Sequence, residues 1–363
     1  MKKFIIIAML ILPFYAYSAT VTDVGVLPAP VGYTPTSSQC SDINETGQAA
    51  CLSKALGVPY KCGFRLAKTC QRVHNTIFKY DKGQVTVVTS GIDSGYGSPT
   101  NFVNGINNFG DIAWGNTKFI SDYGKIVETK TIVGGSKSVF NSKAYTLEGV
   151  VIQFSGVPTT TNDTITSPNV ISNSGELAGM QWATATSTLN GVAGVGGTGL
   201  FVQQETLDHL VSLGDDPLPQ TWADKALSFG WNSVRSYVYD INDRGTVAVG
   251  LSGNFTLPKG TKICDRSFMC ISNIEPTPAN HAVRKFVGIN NFGDAVGVYY
   301  PSTYINSGYP AAWINGEKIN IDEAISNTGY KVLSVDDIND SLQIIGTCLK
   351  NGIQRGCIIE MLF

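Results

Sequence analysis

Eight cysteines, three histidines and a scatter of carboxylates are the side chains of this 363-residue chain whose types could do chemistry. His74, His209 and His281 stand far apart, none beside a nucleophile motif, and no G-x-S-x-G, H-E-x-x-H or S-x-x-K occurs. Each therefore reads as a surface or hydrogen-bonded residue, and no catalytic residue or cofactor is expected. The starts Asp42/Asn44, Asp240/Asn242 and Asp337/Asn339 share the opening of a calcium loop. Their twelfth positions are Ser53, Leu251 and Cys348, not the bidentate Glu such a loop needs, so turn capping is expected and no metal. A glycosidase needs only two suitably spaced carboxylates. Asp93, Asp111, Asp294 and Asp336 are candidates, with nothing to single out a pair. Trp222 and Trp231 fall in an insertion from Asp215 to Asn232 and could form a ligand platform, because indole both buries area and donates a hydrogen bond. The bland reading packs them onto the fold. The Gly-rich run within Thr184 to Gly199 lacks the Lys-Ser/Thr ending of a phosphate cradle and reads as a loop.

The cysteines are Cys40, Cys51, Cys62, Cys70, Cys264, Cys270, Cys348 and Cys357. No C-x-x-C cluster is present, and an even set in an exported chain implies disulfides. Cys40 and Cys51 flank the turn-like Asn44-Glu45-Thr46-Gly47; Cys348 and Cys357 flank Lys350-Asn351-Gly352-Ile353. Each pair is expected to face across a hairpin, a match that a one-residue bulge would spoil. Cys62/Cys70 and Cys264/Cys270 pair by elimination. Export itself is read from Lys2 and Lys3, the apolar run Phe4 to Phe14 and the small residues after it, which make residues 1–18 a signal peptide. The run is too short to span a bilayer comfortably, and the mature chain is expected to have no transmembrane segment.

These residues must be positioned by something, and that something repeats. One phrase recurs six times: Asp42-Ile43-Asn44-Glu45-Thr46-Gly47, Gly105-Ile106-Asn107-Asn108-Phe109-Gly110, Ile171-Ser172-Asn173-Ser174-Gly175, Asp240-Ile241-Asn242-Asp243-Arg244-Gly245, Gly288-Ile289-Asn290-Asn291-Phe292-Gly293 and Asp337-Ile338-Asn339-Asp340-Ser341-Leu342. An Asn that accepts backbone hydrogen bonds, followed three places on by a Gly tolerant of φ > 0, makes a tight hairpin corner. The strand after it is nearly all apolar, which implies burial on both faces. The hairpins lie near 42–51, 105–115, 171–179, 240–250, 288–297 and 337–346. Third and fourth strands follow most copies, as in Ile77–Tyr80 with Val85–Val88, Ala144–Leu147 with Val150–Ile152, and Ala311–Ile314 with Lys318–Ile321. Four strands in about 48 residues is the size of a propeller blade.

The composition agrees: 43% hydrophobic, 15% charged, with 39 Gly and a net charge of −2. It excludes coiled coils and disorder, and offers no electrostatic case for nucleic acid. The last copy ends on a third strand, Arg355 to Met361, while Thr22 to Leu27 is a strand with no hairpin before it. An N-terminal strand completing the last blade would hide two edges. Residues 19–363 are thus expected to form one all-β, six-bladed propeller-like ring of four-stranded antiparallel blades, closed by strands from both termini.

The I-N-x-x-G phrase, followed by a small-aromatic strand such as Ala144-Tyr145 or Ala312-Trp313, resembles the HAF-repeat proteins of bacteria. The resemblance runs from Asp42 to the C-terminus, implies an exported, propeller-like protein of largely unknown role, and brings no catalytic residues. The expected function is a non-enzymatic, monomeric scaffold, periplasmic or extracellular, that binds a protein or glycan. One alternative is a propeller carbohydrate-active enzyme of glycosidase or lyase type, favoured if two acidic residues face each other in the channel beside aromatic neighbours. The other is an outer-membrane barrel, suggested by the alternation of Cys357, Ile359, Met361 and Phe363.

Overall fold

In the first copy Asn44 N–H donates to the Gln48 carbonyl at 3.0 Å and Gly47 N–H to the Asn44 carbonyl at 3.0 Å. That is a three-residue hairpin loop whose last residue is left-handed. Gly47 has φ 82°, and Gly110, Gly245 and Gly293 repeat the conformation. The computed structural model describes residues 17–62, 68–92, 103–114, 117–120, 126–134, 137–145, 164–173, 177–185, 195–203, 210–212, 235–252, 261–264, 270–271, 283–300 and 308–362. Within them each of the six phrases lies at the junction of two antiparallel strands, from Tyr33–Ile43 and Ala49–Gly57 in the first copy through to Lys331–Ile338 and Gln343–Lys350 in the sixth.

The chain is all-β. Four-stranded antiparallel sheets form around the first, third, fourth, fifth and sixth corners; the second has a two-stranded and a three-stranded sheet. The sixth sheet takes its fourth strand from the other end of the chain. Ser18–Gly25 pairs antiparallel with Ile353–Leu362, Thr22 opposite Ile358. A membrane barrel requires one continuous sheet closed on itself, whereas these strands divide into separate small sheets. The alternating C-terminal segment is an inner strand of one of them, with Cys357, Ile358 and Ile359 all buried. No described helix is long and apolar enough to cross a membrane.

The doubly apolar strands are buried as their composition requires: Ala49 to Leu52, Ala295 to Gly297 and Ile344 to Gly346 are all buried. Their cores lie between neighbouring sheets. Ala50, Leu52 and Ile77 pack with Val103 and Ile106 of the second copy. Val296, Ala312 and Ile314 of the fifth pack with Val335 and Ile344 of the sixth. Ile345 and Ile358 of the sixth share a cluster with Val24, Cys40 and Phe78, so the last sheet packs on the first. Gly356 permits this approach, because a Cβ there would collide with Cys40 Sγ.

Several local expectations need correction. Cys40 does face Cys51, with Cα atoms 4.0 Å apart, but a bulge at Ser41 creates that register rather than spoiling it. Cys348 and Cys357 are bonded although they are diagonal neighbours: Cys348 stands opposite Arg355, and Cys357 opposite Gly346. Cys62–Cys70 closes a small hairpin, while Cys264 is in register with Cys270. Ile321 begins a short helix, Ile321–Ala324, whose first turn Asn320 caps through Oδ1, instead of ending a strand. Val195–Gln203 is a strand paired with Leu177–Ala185, so Gly196, Gly197 and Gly199 are not loop residues. The sixth corner forms without glycine, as Leu342 adopts φ 59°.

Candidate functional site

The corner side chains do two jobs. Asn290 Oδ1 accepts from Phe292 N–H and Asp294 N–H, fixing its own turn. Its Nδ2 donates to Asp294 Oδ2 and, at 3.3 Å, to the carbonyl of Asn339, the next corner. The same tie runs from Asn242 to Asn290 at 2.8 Å, from Asn339 to Asn44 at 3.0 Å and from Asn44 to Asn107 at 2.8 Å. An amide suits this place because it offers acceptor and donors on one short side chain. In the third copy the buried corner residue is Ser172, and Asn173 is the residue after it. A second tie joins the next residues of each turn. Asn108 Oδ1 accepts from Glu45 N–H, Glu45 Oε2 from Asp340 N–H, Asp340 Oδ1 from Asn291 N–H, and Asn291 Oδ1 from Asp243 N–H. The belt therefore passes from the fourth corner through the fifth, sixth and first to the second.

Just before each corner the ladder slips by one residue, at Ser41, Asn104, Asn169, Tyr239, Val287 and Asp336. A bulge bends its strand and re-aims a side chain. Ser41, Asn104, Tyr239, Val287 and Asp336 all line one cavity of about 240 Å³. Residues from all six copies wall this cavity, Ser172 and Asn173 representing the third. Its acidic wall consists of Asp42, Glu45, Asp240, Asp243, Asp336 and Asp337, and no lysine, arginine or histidine is among the described lining residues.

Three of those carboxylates hold the same repeat position and the same kind of partner. Asp42 accepts from Ile43 N–H at 2.8 Å and from Ile106 N–H of the second copy at 2.7 Å. Asp240 accepts from Ile241 N–H and from Ile289 N–H of the fifth, both at 2.8 Å. Asp337 accepts from Ile43 N–H of the first copy at 3.3 Å, the same amide that Asp42 holds, so the two carboxylates stand side by side. Withdrawal from water pushes Asp240 up to about 7, against the pull of its two N–H donors. Burial likewise raises Asp42, and raises Asp337 well above the usual carboxylate value, with the neighbouring Asp42 charge adding to the effect. Glu45 is pushed up to about 7, again chiefly by burial.

Of the glycosidase candidates Asp93, Asp111, Asp294 and Asp336, Asp336 lines the cavity and accepts from Ser334 Oγ. Asp111 and Asp294 brace the outer side of their turns, bonded to Asn107 and Asn290, and Asp93 lies outside the described residues. So do Trp222, Trp231, His209, His281 and residues 1–16. His74 stacks obliquely on Tyr33, 5.4 Å between centroids, well outside the cavity lining. Sequence reasoning missed Asp42, Asp240 and Asp337 as cavity residues. The available signal was their shared place immediately before the corner isoleucine. No group of three or more metal-binding side chains with suitable geometry occurs among the described residues.

The chain matches no protein-family model and no curated protein. Among solved structures it is similar to Trypanosoma rangeli sialidase in complex with 2,3-difluorosialic acid, at 9% identity and TM-score 0.38, over 95% of this chain and 59% of that one. It is also similar to a mannose phosphorylase from Leishmania mexicana in complex with phosphate ion, at 8% identity and TM-score 0.26, over 92% and 86% of the two chains. The chain thus spans about 59% of the sialidase's length.

Proposed function

We propose that this chain is an exported, non-enzymatic member of the HAF-repeat proteins, a closed six-bladed propeller that binds a protein or glycan across the face carrying its corner turns. The observation that carries this reading is the use made of the cavity carboxylates. Asp42 and Asp240 occur at one repeat position and accept the same two backbone N–H groups, their own isoleucine's and the next copy's. A carboxylate held that way ties neighbouring blades; a catalytic acid or nucleophile would occupy a single, unrepeated position facing substrate. The disulfides Cys40–Cys51, Cys62–Cys70 and Cys348–Cys357 favour an oxidising compartment. On the turn face Phe109 and Phe292 are 73% and 65% exposed, although large apolar side chains usually withdraw from water. They occupy equivalent corners of the second and fifth copies and are the proposed contact residues.

The enzyme reading keeps one observation: Asp42 and Asp337 meet in a cavity that Tyr239 also lines. A glycan array and a ligand pull-down with the mature chain, alongside a chromogenic glycoside panel, separate the two. The binding reading expects capture without turnover, weakened by Phe109→Ala with Phe292→Ala. Glycoside turnover abolished by Asp337→Asn would replace it with the enzyme reading.

A further inference from the structure

The junction between the last and first copies differs chemically from the others the structure describes. Where Asp42 reaches the second copy, the residue at its own repeat position there is Gly105; where Asp240 reaches the fifth, it is Gly288. Gly288 in turn packs against the Asp337 backbone, and a Cβ there would stand 2.7 Å from Asp337 Cα. Only across the chain-end junction, among those described, do two aspartates fall on adjacent copies, Asp337 and Asp42. Both lean on one peptide, since Asp42 and Asp337 each accept from Ile43 N–H. Two carboxylates held on one N–H repel when both are ionised, and a proton shared between them relieves that repulsion.

We propose that the Asp337–Asp42 pair is a proton-dependent latch on the junction between the sixth and first copies, firm when the two carboxyls share a proton and loosened when that proton is lost to solvent. The charged groups facing the pair reinforce the effect. Among the described residues they are Asp336 beside Asp337, Asp240 from the fourth copy, and Glu45, Asp243 and Asp340 on the neighbouring turns, all acidic. Burial and the mutual charge hold the pair's titration above the ordinary carboxylate range. Glu45, pushed up to about 7, also bridges this junction by accepting from Asp340 N–H, a bond that ionisation strengthens rather than loosens. Two further closures do not titrate. Asn339 donates to the Asn44 carbonyl, and Gly356 N–H donates to Ser38 Oγ, which itself donates to the Gly25 carbonyl. Loss of the proton therefore loosens the junction without unfolding the sheets on either side.

The test follows the oxidised mature chain from pH 4 to pH 8 by thermal unfolding and by hydrogen exchange corrected for intrinsic rates. In the wild type, the amide of Ile43 should lose at least about tenfold protection relative to that of Ile289, which Asp240 holds at a junction without a second carboxylate. Asp337→Asn supplies an amide donor to Asp42 in place of the proton. Its melting temperature should fall less across this range than that of the wild type, so that the two curves converge or cross as pH rises. Parallel curves, or protection lost equally at Ile43 and Ile289, would overturn the latch. If Asp337→Asn does not fold, Asp42→Asn serves the same comparison, and the wild-type exchange ratio decides the matter alone.

Discussion

Asn339 is 1% exposed and its side chain makes four hydrogen bonds. Its Nδ2 donates to the Asn44 carbonyl at 3.0 Å and to Gln343 Oε1 at 2.9 Å, and its Oδ1 accepts from Ser341 N–H at 3.1 Å and Gln343 N–H at 3.0 Å. Truncation to alanine removes all four and leaves their partners short of a bond in a dry corner. At about 1 kcal/mol net for each bond, Asn339→Ala should cost about 4 kcal/mol, a large part of the 5–15 kcal/mol that holds a typical domain. Asn339→Ser copies the residue that nature places at the third corner, Ser172. Its hydroxyl can still accept from the turn amides but cannot span to the next copy, so about 2 kcal/mol should be lost. Asn351→Gly, in an exposed turn where φ is already 52°, should change stability by less than about 0.5 kcal/mol. Urea unfolding of the oxidised protein, followed by fluorescence with the slope m compared between variants, reads all three. A loss under about 1 kcal/mol for Asn339→Ala, or no gap between it and Asn339→Ser, would refute the claim that the corner amides tie successive copies together.

Gly288→Ala should destabilise by about 1–3 kcal/mol in the same assay, since its Cβ would press on the Asp337 backbone, which cannot swing aside as a side-chain tip would. Replacing both Cys40 and Cys51 by alanine opens a bridge spanning 11 residues and should lower the unfolding free energy by about 2–3 kcal/mol; mass spectrometry of the untreated wild type should find no free thiol at either position. Asp240 bears on pH. Its folded pKa of about 7 lies above the usual 3.8, so its contribution to stability is complete below the latter and is lost as pH rises through 7. Asp240→Asn escapes that loss and should gain on the wild type by about 1–2 kcal/mol between pH 4 and pH 8, less than full linkage because the residue is only half-buried.

What could be read in the sequence was what is local. The six corners, the doubly buried strands after them and the Lys82-Gly83, Asn315-Gly316 and Asn351-Gly352 turns depend on residues a few places apart. The bulges were hidden, because Ser41, Asn104, Tyr239, Val287 and Asp336 share no side-chain chemistry and reveal themselves only in the register. Cys40 and Cys51 depend on such a slip, because a regular ladder continuing from Asp42 opposite Ala50 would set Cys40 opposite Leu52 instead. Asp42 and Asp240 read naturally as turn caps, since each does hold its own neighbour's N–H. Their second bond, to an isoleucine 64 or 49 residues away, is invisible to any local argument. Leu342 shows the opposite case. A left-handed leucine costs about 1–2 kcal/mol, yet its side chain packs against the core cluster of the sixth sheet, which offsets the strain.

Everything above depends on the first and last copies lying side by side. Spin labels at the exposed turn residues Thr46 and Ser341 measure this directly by pulsed electron resonance. Adjacent turns joined by the Asp340 N–H to Glu45 bond put the labels within about 20 Å, two sheet spacings of about 10 Å each. Six units stacked as an open row would separate them by about 50 Å on the same spacing, and a distance in that range would contradict the account.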